Sequence, residues 1–383
     1  MDNILRLLHL VLDKLNSDPV ILRASIGFLA VTSYLCLVRC LRWRRYHDIH
    51  RKYEKKWREG VLTPAEAQEI RLLSSFYDCP MLLHKAVAFA LFKTYAIPSI
   101  SKLLLSTKEL SSSERMPKRF ADTEILIATF VGCPISGSHD TTAPPDPTKP
   151  AEDPRAAIAL ARMNFIHSKY KISNDDYLYT LSLFILEPAR WADLYSWRSL
   201  SQMEQEAFFI FYADVGRKMG ITDIPETLEE LKAWSEAYEE VYMVPAETNN
   251  LVAGYTVAEL LYAVPKKFGM KAFAERVVIA LLEERVRIAM LYKSVPWYKE
   301  EPKGRLSYVF AKLAVMLGIY AAMPGPQFRS QGYRLEEVGP QQFEGAGVEE
   351  VFNNAEKFQG CPIVAPWRPA TALRSEVVDR SHS

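Results

Sequence analysis

Imidazole and thiol ligands are scarce in this chain: 383 residues hold seven histidines and five cysteines. The cysteines (Cys36, Cys40, Cys79, Cys133 and Cys361) are scattered, odd in number and contain no C-x-x-C pair. That pattern argues against a disulfide framework or a zinc cluster and fits a reducing compartment. The histidines lie far apart in sequence. None falls in E-x-x-H, H-E-x-x-H or H-x-[DE] spacing, so di-iron, zincin and facial-triad sites have no support. G-x-G-x-x-G, G-x-x-x-x-G-K-[ST] and G-x-S-x-G are missing too, which removes the dinucleotide, P-loop and serine-hydrolase readings. Charge of one sign is also lacking: Lys and Arg number 47 against 46 Asp and Glu, a net +1. No basic field for nucleic acid exists. No β-branched alternating run with a tight-turn dipeptide occurs, and no repeat of fixed period. What is present is a chain 49% hydrophobic and 11% aromatic, with enough length to bury a full core.

The N-terminus points to a membrane. Residues 19–38 are apolar apart from Arg23 and a few small polar groups. The uncharged stretch 24–38 is short for a span, and Arg23 and Arg39 can snorkel to lengthen it toward the roughly 20 residues a bilayer needs. A cleavage site does not follow. A basic run does: Arg39, Arg42, Arg44, Arg45, Arg51, Lys52, Lys55, Lys56 and Arg58, with Asp48 and Glu54 the only acids before Arg58. The positive-inside rule then predicts a single-pass anchor with the body of the protein in the cytosol. The expected divisions are a short amphipathic lumenal segment over 1–18, a transmembrane helix over 19–41, a basic juxtamembrane helix over 42–69, an all-α domain over 70–330 and an extension over 331–383.

The rest reads as helix. Amphipathic spacing covers 3–15, and Pro64 opens a helix with proline in its first turn. Helical patterns follow over 81–95 and 121–131. Ser173-Asn-Asp-Asp176 starts a helix that should end at Pro188. Residues 202–219 should stop at Gly220, and a helix from Pro225 should reach Met243. The longest clean pattern is 270–292. Residues 132–154 hold six prolines among Ser, Thr and Asp and read as a surface loop. An apolar run over 309–323 is too short to span a bilayer.

His167 stands out in this setting. It sits in Arg162-Met-Asn-Phe-Ile-His167-Ser-Lys-Tyr170, within a helical pattern of Ala, Ile, Leu, Met and Phe. An imidazole there either finds a hydrogen-bond partner as a core residue or binds something. One buried histidine is poor for zinc but sufficient for haem, whose porphyrin supplies the other ligands. His84 is its only rival in an apolar context. His9 and His382 are terminal, His47 and His50 lie in the basic segment, and His139 is in the proline-rich loop. Cys361, in a polar tail, is a weak candidate for a haem-thiolate.

Several segments, in order, resemble one family. They are Ala90-Leu-Phe-Lys-Thr-Tyr-Ala-Ile-Pro98, Arg119-Phe-Ala-Asp-Thr123, Arg162 to Tyr170, Asp176-Tyr-Leu-Tyr-Thr-Leu181, Tyr195-Ser-Trp-Arg198, Tyr238-Glu-Glu-Val-Tyr-Met243 and Gln331-Gly-Tyr333. The chain resembles the fungal ER-bound oxygenase mpaB family, related to the bacterial latex-clearing rubber oxygenases. The resemblance implies an all-α, single large haem-binding domain with b-type haem. It implies His167, followed by the small Ser168, as the iron ligand. It also implies a distal segment at Arg119, Asp122 and Thr123. Rubber oxygenases can place a lysine where this chain has Asp122, so a lysine-closed iron is not implied here. Arg119 and Arg162 are the expected cofactor contacts, and Arg119, Asp122 and Thr123 the expected catalytic groups. Without the resemblance, the same residues read as a surface ion pair and an ordinary helical threonine. Asp176 and Thr180 have a capping and packing account.

The function implied is dioxygen-dependent cleavage of a carbon–carbon double bond in a lipophilic prenylated intermediate of fungal secondary metabolism. The partners implied are that substrate, dioxygen, the ER membrane and other pathway enzymes, with no nucleic acid. Two other functions stay open: another oxidation on the same fold, such as hydroxylation, dehydrogenation or rearrangement, or a non-catalytic ER scaffold.

Overall fold

A computed structural model describes residues 19–110, 115–135, 153–262, 264–293, 334–343, 345–359 and 363. Among these, every regular element is helical. The expectations for 3–15, 309–323 and nearly all of the proline-rich loop and C-terminal tail lie outside the described residues, as do His9, His139, His382, Cys361 and 331–333.

Two compact units divide between Val61 and Leu62. The first contains one unbroken helix, α1 (Pro19–Arg58), about 60 Å long at 1.5 Å per residue. Its most apolar window has a mean hydropathy of 1.7 and contains no buried residue, so α1 is long and apolar enough to cross a membrane. Lys55, Lys56 and Arg58 in its last turn suit the negative end of the helix dipole. The helix expected over 42–69 instead stops at Arg58. Gly60 takes a left-handed conformation (φ 68°), and Thr63 starts a new helix. There the Thr63 hydroxyl accepts from the Glu66 amide while the Glu66 carboxylate accepts from the Thr63 amide, a capping box that sets the boundary.

The second unit is built around α7 (Asn174–Tyr195), on which Leu178, Tyr179, Leu183 and Trp191 are all at most 1% exposed. Against it pack α3 (Pro80–Thr94), α8 (Gln202–Lys218) and α9 (Leu228–Tyr242). Helix α2 (Pro64–Leu72) lies on α8 and leads into a π-helical turn (Leu73–Asp78). Helix α4 (Pro98–Ser106) meets α10 (Glu247–Leu260). Helix α6 (Arg155–His167) is sandwiched between α5 (Met116–Gly132) and α13 (Val348–Gln359). As the capping pattern predicts, the Ser173 hydroxyl accepts from the Asp176 amide at 3.1 Å, and α8 ends before Gly220 at φ 78°.

Two expected boundaries are corrected. Helix α7 runs through Pro188 to Tyr195. An interior proline costs about 3 kcal/mol, and burial of Trp191 and Ala192 beyond it offsets that. The pattern over 270–292 breaks into α11 (Met270–Ala280) and α12 (Glu284–Ala289). Glu283 between them leaves helical geometry (ψ 151°), and its carboxylate lies 3.1 Å from both Lys93 Nζ and Arg190 Nε. A buried lysine with several carboxylate partners outweighs the continuous apolar stripe that suggested one helix.

Candidate active site

A cavity of about 580 Å³ lies within the second unit, walled mainly by α3, α5 and α7, with α4 and α8 contributing further residues and α6 contributing Met163 and His167. That is the size of an ordinary cofactor or ligand pocket. Most of its wall is aliphatic or aromatic, so the few polar groups facing it carry its chemistry.

His167, the last residue of α6, is one of them. Its Nδ1 is sealed from solvent and has no hydrogen-bond partner. The ring of Tyr177 lies 5.6 Å away, tilted by 53°. A helix C-terminus ordinarily favours imidazolium. Here burial, reinforced by the charge of Arg119, pushes the His167 pKa down to about 4. At neutral pH the imidazole is therefore uncharged and keeps a lone pair. An orphaned buried nitrogen costs about 1–3 kcal/mol, so a satisfied core histidine does not describe this residue.

Arg119 and Thr123, one turn apart on α5, both face the cavity. The Thr123 hydroxyl donates to the Arg119 carbonyl at 2.7 Å, and the Arg119 guanidinium donates to the Thr123 oxygen. The only proton on Thr123 is thus engaged by the backbone, and its role is to hold Arg119. Arg119 has no carboxylate partner among the described residues. Its charge is felt by Tyr95 at the end of α3, whose hydroxyl pairs with Thr256 of α10.

Asp122 does not join them. On a helix of 3.6 residues per turn it projects about 100° away from Thr123. It is buried on another side of α5, where Lys118 Nζ donates to it at 2.6 Å and to the Gly339 carbonyl at 2.7 Å. It does not line the cavity, so of the three expected residues only Arg119 and Thr123 face it. Arg162 is corrected likewise. Five residues before His167, it points about 140° away around the helix. It is fully buried and donates to four backbone carbonyls: Val338 at 2.7 Å, Ala346 at 2.5 Å, Glu337 at 3.1 Å and Phe343 at 2.6 Å. Its guanidinium fixes the C-terminal extension to α6 and does not line the cavity.

Asp176 keeps its structural account: its carboxylate accepts from Ser99 at 2.7 Å and Tyr238 at 2.8 Å. Sequence reasoning missed three features of the wall. Arg71 is fully buried with its guanidinium 4.4 Å from the Phe211 ring, and burial lowers its pKa. Tyr177 flanks His167. His84 of α3 meets Glu124 of α5 at 3.0 Å. The last pair joins residues 40 positions apart, and nothing local in sequence marks it. No group of three or more His, Cys, Asp or Glu able to hold a metal occurs among the described residues.

Comparison with known proteins agrees with this architecture. Residues 153–316 match the family described as ER-bound oxygenase mpaB/B'/Rubber oxygenase, catalytic domain. An ER-bound oxygenase mpaB of Penicillium roqueforti (strain FM164) is 34% identical over 72% of this chain and 92% of its own length. An ER-bound oxygenase mpaB' of Penicillium brevicompactum is 29% identical over 85% of the chain and 89% of its own length. The mpaB of the same species is 34% identical over 62% of the chain. With an all-helical body, a candidate anchor helix and likeness extending over most of its length, this chain belongs to the ER-bound oxygenase mpaB family and is an oxidoreductase.

Proposed function

We propose that this oxygenase works with a b-type haem held in this cavity beside His167, and that it cleaves a carbon–carbon double bond of a lipophilic, prenylated substrate. The observation that carries this reading is His167: a neutral imidazole on the wall of an apolar cavity, with a buried nitrogen that no protein group satisfies. A single protein ligand suits a macrocycle that brings its other four. The residues fit such a group in two further respects. Arg119 offers an uncompensated cation to an anionic substituent, and the cavity walls are apolar.

When bound, the haem supplies iron that activates dioxygen toward an electron-rich alkene. The chain does the rest. His167 would hold the iron from the end of α6, and burial keeps its imidazole uncharged at neutral pH. Thr123 fixes the rotamer of Arg119, and Arg119 directs a positive field into the cavity. The apolar walls hold the hydrocarbon chain and exclude water. Cleavage of one double bond by one dioxygen gives two carbonyl fragments with both oxygen atoms accounted for, so this stoichiometry needs no external reductant.

A substrate of this kind partitions into membranes, which gives α1 its purpose as an anchor. The basic residues after its apolar part favour the second unit on the cytosolic side, and the relatives named ER-bound favour the ER as the membrane. The test is product analysis under labelled dioxygen with purified, haem-quantified protein and a prenylated substrate. Label in both carbonyl fragments is expected. An intact skeleton carrying one labelled hydroxyl would replace cleavage by hydroxylation, and protein without haem would sink the reading.

A further inference from the structure

The cavity has a second polar station that the proposed chemistry does not use. His84 Nε2 lies 3.0 Å from Glu124 Oε1, joining α3 to α5. Both residues line the cavity, yet their side chains are 46% and 45% exposed. They therefore stand where the cavity meets water. Glu124 directly follows Thr123 on α5, so it is chiefly along α3 that the pair is offset from the Arg119 end of the cavity. On α5, Glu124 is five residues past Arg119, about 7.5 Å along the axis. On α3, His84 is 11 residues before Tyr95, the residue that feels Arg119, about 16 Å along the axis. Between these stations the cavity face of α3 presents Val87, Ala88 and Leu91, an apolar stripe at helical spacing.

A polar contact at an open surface contributes little and selects nothing. At the rim of an apolar channel the same pair meets whatever part of a ligand stays polar when the remainder is inside. Glu124 Oε1 is taken by His84, while Oε2 has no hydrogen bond among the described residues. The hydrogen bond from His84 holds the Glu124 pKa below its usual value, with the charge of Lys85 adding to this, so the carboxylate is ionised at neutral pH. An ionised carboxylate accepts a short, strong bond from a hydroxyl and repels a second carboxylate.

We propose that His84 and Glu124 bind the hydroxyl head of an amphiphilic substrate, an alcohol or phenol, while its hydrocarbon chain lies along α3 and α5 toward His167. The pair discriminates against the corresponding carboxylic acid. It thereby fixes how far along the chain the reacting carbon sits. This rests on the cavity being the substrate pocket, as proposed above, and deepens that reading by naming the substrate's polar end.

The test uses full-length protein in nanodiscs, with farnesol and farnesoic acid as probes at pH 7.5, binding being corrected for partition into empty nanodiscs. Wild-type protein is expected to bind the alcohol at least about tenfold more tightly than the acid. Glu124→Gln is expected to bring the two within about twofold of each other, and His84→Gln to weaken alcohol binding. Equal binding of both probes by the wild type, binding of neither, or an unchanged preference in Glu124→Gln overturns the proposal. The wild-type comparison decides even if a variant fails to fold. Because binding is read without turnover, the outcomes separate. Haem-free protein that keeps the preference sinks only the haem reading, and haem-loaded protein without a preference sinks only this one.

Discussion

Replacing Arg162 with methionine should release the C-terminal extension from α6. The guanidinium donates to carbonyls of Glu337, Val338, Phe343 and Ala346, so a single side chain holds both strands of the turn that leads into α13. A hydrogen bond from a charged donor contributes about 1.5–3 kcal/mol. Four such bonds do not add, and methionine relieves the cost of burying a cation, so a net loss of about 3 kcal/mol is expected for docking of 334–359. Hydrogen exchange reads this locally: 3 kcal/mol corresponds to roughly hundredfold faster exchange of the α13 amides if they open as a unit. Arg162→Lys should behave nearly as badly, because one ammonium cannot fork to four carbonyls. Unchanged α13 exchange in Arg162→Met would refute the clamp. Slowed haem loading without change in α13 would return Arg162 to the cofactor role its position in the sequence suggested.

Other outcomes follow from the same structure. Burial lowers the His167 pKa from 6.5 to about 4, so the unfolded chain takes up its proton first as pH falls. Stability from this residue is fully present above pH 6.5 and is lost as pH drops from 6.5 toward 4, by roughly 3 kcal/mol. In haem-stripped protein, denaturant midpoints at pH 7 and pH 4.5 should therefore diverge less in His167→Leu than in wild type, and equal divergence would contradict the assigned environment. Arg198 bonds Asp78 at 2.7 Å and 2.9 Å and Glu204 at 2.7 Å through each oxygen, with 5% of its side chain exposed. Arg198→Met leaves two buried carboxylates uncompensated and should lower unfolding free energy by about 3–5 kcal/mol in chemical denaturation. A loss under 1 kcal/mol would mean that the pair is hydrated.

Local chemistry was the legible part of this chain. Thr63, Ser173 and Ser201 start helices because their hydroxyls accept from amides three residues on, a pattern visible in any window of four residues. His167 was legible because histidine is scarce and its neighbours are apolar. What stayed hidden depends on distant partners. The break at Glu283 answers to Lys93, 190 residues away. Arg162 and Asp122 look like site residues beside His167 and Arg119, but each projects to the side of its helix where 337–346 packs. The segments carrying the resemblance include residues that reach the cavity wall, and only the helical phase in three dimensions says which members of a segment face it.

If His167 is the protein's iron ligand, the visible absorption spectrum of the full-length protein reports it. Wild type purified with its cofactor should show a strong Soret band. His167→Gly should lose it or shift it, and added imidazole, entering the space vacated beside Tyr177, should restore it. A wild-type protein with no Soret band, or a His167→Gly protein with an unaltered one, would contradict the account.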